Sequence, residues 1–148
     1  MLAGKSTPSL TVGQRTPYAR FTLLNGEPVT LGDLRGKPVA VIFWASTCTH
    51  SPKTVERLNR MVAKIGKDKA TFLAASLDKT EAIAEVKEMI RLRDMDNLTH
   101  AISGNAEYDE AYLALKGSEL PYVLLIAADG VLVYAGGSLG AVEEYFEK

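Results

Sequence analysis

The chain has 148 residues, 47% of them hydrophobic and 24% charged, and its 17 basic and 18 acidic side chains leave a net charge of -1. That is the size of one domain, too apolar for a disordered linker and too evenly charged for a nucleic-acid surface. No run of about 18 apolar residues predicts a transmembrane helix, and a single cysteine, Cys48, excludes an internal disulfide and a multi-cysteine metal cage.

Residues 1–11 are expected to form a flexible N-terminal segment ahead of a single domain over 12–148. The opening MLAGKSTPSL lacks the apolar run of about seven residues that a secretory leader needs. Segments 18–24 and 29–31 flank the turn cluster Asn25-Gly26-Glu27-Pro28, which predicts two short strands joined by a bend. The run VAVIFWA at 39–45 is apolar throughout and rich in β-branched and aromatic residues, as a strand buried on both faces requires; it is the predicted central strand.

From 51 to 65, Val55, Leu58, Met61, Val62 and Ile65 recur at spacings of three and four, which predicts an amphipathic helix ended near Gly66. A buried strand is expected at 70–77, with Asp78 capping or turning the chain after it. A second helix is expected at 80–95, with Thr80 as its N-cap and Ile83, Val86, Met89, Ile90 and Leu92 on its apolar side. A short strand at 98–102 and a helix at 105–115 follow. Strands at 122–128 and 131–135, joined by the hairpin dipeptide Asp129-Gly130, and a helix at 141–146 complete the chain. Tyr108, Tyr112 and Tyr145 fall on helical patterns and are expected to be partly buried, and His100 reads as a loop or strand-end residue without a special role. Strands alternating with helices imply parallel crossovers, and the terminal hairpin adds an antiparallel pair. The expectation is an α/β domain with a mixed central sheet flanked by helices.

Cys48 falls between the central strand and the first long helix. A sulfur at a helix N-terminus faces unpaired backbone N–H groups and the positive end of the helix dipole, both of which favour the reactive thiolate. His50 adds positive charge there when protonated. The competing reading is a small buried cysteine closing a strand.

Phe43-Trp44-Ala45 ahead of Cys48, the helix after it, and the later Leu120-Pro121 before an apolar strand and Asp129-Gly130 resemble the thioredoxin superfamily. Within it the chain is similar to the TlpA/ResA-type, AhpC/TSA-related proteins, and the resemblance extends over 12–148. It implies a thioredoxin fold with an N-terminal strand extension and an inserted strand-helix unit. It also implies thiol-disulfide exchange through Cys48 as nucleophile, with Ser51 at the position of the second, resolving cysteine, so the motif is CxxS. Pro121 matches the proline these proteins hold in cis beside the active site. Trp44, Thr49, His50, Leu120 and Pro121 are the implied substrate surface, which receives a cysteine-containing protein or a low-molecular-weight thiol. Thr47 and Thr54 stand where relatives carry an aromatic residue and a Glu, and Ile42 stands where thioredoxin has a buried Asp.

A serine hydroxyl cannot attack a mixed disulfide, so three readings remain: a monothiol exchange protein, a dithiol reductase whose resolving cysteine was replaced by Ser51, and a redox-inactive binding or scaffold protein. A peroxidase would need Pro and Thr where Val41 and Ala45 stand. Cys48, His50 and the distant His100 do not make a metal site. No metal or cofactor is expected, no nucleic-acid partner, and a monomer. Relatives imply a bacterial protein, periplasmic or exported and anchored through a segment outside this chain; a cytoplasmic protein is the alternative.

Overall fold

The computed structural model describes residues 10–147, so most of the expected flexible segment lies outside the described residues. Two short strands, β1 (Arg20–Thr22) and β2 (Pro28–Thr30), pair antiparallel across the Asn25-Gly26 turn. Gly26 sits there at φ +90°, where a side chain is strained. Next come β3 (Val39–Trp44), α1 (Ser51–Ile65), β4 (Thr71–Ser76), α2 (Ile83–Leu92) and β5 (Thr99–Ile102). The chain ends with α3 (Glu110–Ala114), β6 (Tyr122–Ile126), β7 (Leu132–Gly136) and α4 (Gly140–Glu147).

The second sheet has strand order β5-β4-β3-β6-β7, parallel at β3–β4 and β4–β5 and antiparallel at β3–β6 and β6–β7. All six residues of β3 are buried, because alternate side chains enter two cores. Ala40, Ile42 and Trp44 pack with Val55 and Leu58 of α1 and Val142 of α4, while Val39, Val41 and Phe43 pack on the opposite face with Phe21, Ala111 and Leu124. The Phe43 ring lies 5.9 Å from Phe21, 5.2 Å from Tyr112 and 6.1 Å from Tyr122, an aromatic cluster beneath the start of β6.

The N-terminal extension reaches both edges of this sheet. Gly13 N–H donates to Leu132 O and Leu132 N–H to Gln14 O, each at 2.9 Å, beside β7. At the far edge Leu24 N–H donates to the His100 carbonyl in β5, next to a Leu23–Ala101 bridge.

Two predicted helices are shorter than their sequence patterns. Thr80 is not an N-cap: its backbone N–H and its hydroxyl both engage the Gly104 carbonyl, and 80–82 form a 3-10 turn before α2 begins. α2 stops at Leu92 because Arg93 turns extended, its guanidinium forked onto Glu56 at 2.7 and 2.9 Å. The expected helix at 105–115 is split at Asp109, whose extended backbone breaks the helix while its carboxylate caps Tyr112 N–H at 2.9 Å. Ahead of it lies a 3-10 turn over 106–108, which leaves Tyr108 73% exposed instead of partly buried.

His100 is the second residue of β5, near the strand end, and its Nε2–H donates to the Met95 carbonyl at 2.6 Å. Burial is the main cause holding its pKa below the ordinary imidazole value, and it outweighs the Met95 bond, which acts the other way. A folded-state pKa below the unfolded one means that the unfolded chain binds more protons. This contribution to stability is therefore complete above about pH 6.5 and is lost as the pH falls below it. We expect the melting temperature to fall between pH 7.5 and 5.5, and His100→Gln, which keeps an N–H donor, to show a smaller fall. Equal falls in the two proteins would rule this contribution out.

Candidate active site

The register places four loops at one end of the sheet. Trp44 lies opposite Ser76 and Ser76 opposite Ile102 in parallel pairs, while Phe43 lies opposite Tyr122 in an antiparallel pair. The chain leaving β3, the chain leaving β4, the loop after β5 and the Leu120-Pro121 entry to β6 therefore meet at the carboxyl ends of the parallel strands. In open α/β sheets that end is where ligands bind.

Cys48 sits in the turn between β3 and α1, half-buried, with its N–H donating to Ala45 O at 3.2 Å. Pro52 in the first turn favours helix initiation. That turn carries no Asp or Glu, and no side chain caps it, so nothing acidic competes with the sulfur for the free N–H groups. The Cys48 thiol is held below its ordinary pKa chiefly by the Ser51 hydroxyl and then by the Ser51 backbone N–H; burial opposes them, and the His50 N–H adds a smaller lowering effect.

Ser51 is fully buried. Its Oγ accepts from Ala45 N–H at 3.2 Å and donates to Ala45 O at 3.0 Å, locking the turn on itself. The hydroxyl has one proton and two acceptors, the Ala45 carbonyl and the sulfur. A charge-assisted bond is stronger than a neutral one, so ionisation of Cys48 favours turning that proton toward the sulfur.

Thr47, Thr49 and His50 are exposed around Cys48, whereas Thr54 turns its hydroxyl back to the His50 carbonyl at 3.1 Å. Trp44 corrects an expectation. Its side chain is 0% exposed within the α1-side core, so it offers no surface to a substrate, and its indole N–H has no hydrogen-bond partner among the described residues. It points inward because β3 alternates, and the even-numbered positions face α1.

Leu120 and Pro121 are half-buried and joined by a cis peptide bond. Two phenols hold the approach to it: Tyr112 Oη donates to Glu119 O at 3.0 Å and Tyr122 Oη to Leu115 O at 2.7 Å. Burial raises both phenol pKa values, which keeps these groups protonated as donors. Gly117 lies against the Tyr112 ring, where a Cβ would come within 2.1 Å. Two phenols, each bonded to a carbonyl seven residues away, thus fix the proline loop, a function that their helical spacing does not announce.

Asp78, read from sequence as a cap or turn, is 6% exposed and reaches the active-site turn itself. Its carboxylate accepts from Ser46 N–H at 3.0 Å, Ser46 Oγ at 2.6 Å and Ser76 Oγ. Beside this network a cleft of about 420 Å³ opens, lined by Thr47, Asp78, Lys79, Glu81, Glu85 and Glu107 among others. Among the described residues Glu81, Glu85 and Glu107 belong to none of the ion pairs.

Fold and site together define a thioredoxin-like protein: a mixed sheet whose central strand delivers a cysteine to a helix N-terminus, with a cis-proline at the same end. The chain belongs to the AhpC/TSA family, which it matches over residues 12–135. It is 28% identical over 122 residues to the thiol-disulfide oxidoreductase ResA of Bacillus cereus, covering 82% of this chain and 67% of ResA. To the methylamine utilization protein MauD of Methylobacillus flagellatus it is 27% identical over 140 residues, covering 92% of this chain but only 63% of MauD. Solved structures share the fold. The thioredoxin domain of a thiol-disulfide oxidoreductase from Bacteroides vulgatus superposes with a TM-score of 0.76 at 22% identity, over 93% of this chain and 99% of that one. A thiol:disulfide interchange protein DsbE from Chlorobium tepidum gives 0.75 at 22% identity, over 94% of each chain.

Proposed function

We propose that this protein carries out thiol-disulfide exchange with a single sulfur. The observation that carries the reading is Cys48 at the N-terminus of α1, with its thiol pKa lowered and a serine where a second sulfur would stand. The Cys48 thiolate attacks one sulfur of a substrate disulfide, the S–S bond breaks, and the other half leaves as a thiolate that takes a proton. An external thiolate then attacks the mixed disulfide, regenerating Cys48 and carrying away the bound half. Exchange conserves the number of disulfides, so no further oxidant is needed. Thr49, His50, Leu120 and Pro121 form the surface that receives the substrate, and the unpaired carboxylates of the neighbouring cleft favour a cysteine-bearing polypeptide with Lys or Arg near its disulfide. By analogy with its relatives, the protein works in a bacterial periplasm or cell exterior. No helix among the described residues is long and apolar enough to cross a membrane.

The rate of Cys48 alkylation by iodoacetamide against pH, with Cys48→Ser as blank, tests the reading. An inflection clearly below about 8.5 is expected. In the same assay the disulfide cystamine, which is cationic, should form the mixed disulfide faster than glutathione disulfide, with the difference closing as salt is added. An inflection at or above the free-thiol value, or no labelling of the folded protein, would leave a thioredoxin-shaped binding protein instead.

A further inference from the structure

We propose that Asp78 is a positioning residue for Cys48, acting through Ser46. The proposal rests on the exchange reading above and adds a residue that the motif does not contain. Asp78 leaves the end of β4 almost wholly buried, and among the described residues no cation pairs with it. A carboxylate removed from water without a counter-ion is costly unless hydrogen bonds replace its hydration. Here the donors are Ser46 N–H, Ser46 Oγ and Ser76 Oγ, while the Asp78 N–H returns to Ser76 Oγ at 3.2 Å.

Two of the three donors to the carboxylate come from one residue, 32 positions earlier in the chain and two before the nucleophile. Holding the end of the core requires less than this. Leu77 N–H already donates to Trp44 O at 2.7 Å, which extends the β3–β4 ladder by one rung past the strand ends. What the carboxylate adds is a fixed position for Ser46. With Ser46 held, the Ala45–Cys48 turn is held between two clamps, Asp78 on one side and the Ser51–Ala45 pair on the other. The sulfur then stays against the N–H groups of α1 instead of sampling positions away from them.

Ser46→Ala removes the hydroxyl without altering any charge, so it isolates positioning from the electrostatic influence of Asp78 on the thiol. Ser76→Ala is the structural control, because it takes a hydrogen bond from the same carboxylate without touching the active-site turn. We expect alkylation of Ser46→Ala at pH 7 to slow about three- to ten-fold, with the rate at the alkaline plateau unchanged, through a smaller thiolate fraction. Ser46→Thr restores the rate, and Ser76→Ala lowers the melting temperature with its pH profile superimposed on that of the parent. If the Ser46→Ala profile superimposes on the parent, or Ser46→Thr fails to restore it, the proposal is overturned. That failure is distinct from failure of the exchange reading, which the parent profile alone decides.

Discussion

Ser51→Cys is expected to shorten the life of a Cys48 mixed disulfide by about a thousand-fold at about 1 mM external thiol. The replaced side chain would hold a sulfur in the same turn as Cys48, and oriented intramolecular groups act at effective molarities well above 1 M. Its thiolate attacks Cys48, the substrate leaves reduced, and the protein is left with a 48–51 disulfide that an added dithiol must reduce before the next cycle. The change also has a stability cost. Ser51 is buried, with its oxygen both donating to and accepting from Ala45, and a thiol is a weak donor. Leaving those Ala45 groups poorly paired costs about 1–3 kcal/mol. Quenched-flow release of substrate from a preformed mixed disulfide measures the first effect and urea unfolding the second. Unchanged release would show that the side chain at 51 faces Ala45 and not the sulfur.

Trp44→Ala is expected to cost about 3–5 kcal/mol, a large part of the roughly 5–15 kcal/mol that holds a domain together. The indole is fully enclosed in the α1-side core. Trp44→Phe should cost far less, within about 1 kcal/mol, because it deletes a buried N–H that has no partner, and relief of that penalty offsets part of the lost packing. Urea unfolding followed by far-UV circular dichroism compares the two, since Trp44 is the only tryptophan and its loss removes the fluorescence signal. A Trp44→Phe cost equal to that of Trp44→Ala would overturn this account, because phenylalanine keeps most of the buried volume that alanine deletes. Trp44→Phe should also leave the Cys48 alkylation profile unchanged, as suits a residue beneath the site and not on it.

The sheet and α1 were legible because burial on both faces leaves a continuous apolar run, and burial on one face leaves a period near 3.6; both are local patterns. Cys48, Ser51 and Pro121 were legible by resemblance to a known motif. Where pattern failed, a polar side chain had taken over the backbone locally. Asp109 capped Tyr112 and split one predicted helix, and the Thr80–Gly104 contact replaced a cap with a 3-10 turn. Trp44 misled because a position in a motif does not say which face of a strand it occupies, and a shift of one residue moves a side chain from one face to the other. The Ser46–Asp78 network was invisible for a different reason: its partners are 32 residues apart and joined only when β3 and β4 pair in parallel.

The bonds from residues 13–14 to Leu132 and from 23–24 to β5 put the same stretch of chain on both outer strands. An open sheet is a template on which another molecule's strand can grow, and outer strands are where growth starts. The N-terminal extension acts as a clasp that covers the start of β7 and the middle of β5, and so blunts both growth fronts. A chain beginning after residue 24 would retain Cys48, the proline loop and most of both cores, yet it would expose two strand edges to its neighbours. Removal of that segment is expected to lower solubility at high concentration while leaving Cys48 and the proline loop in place.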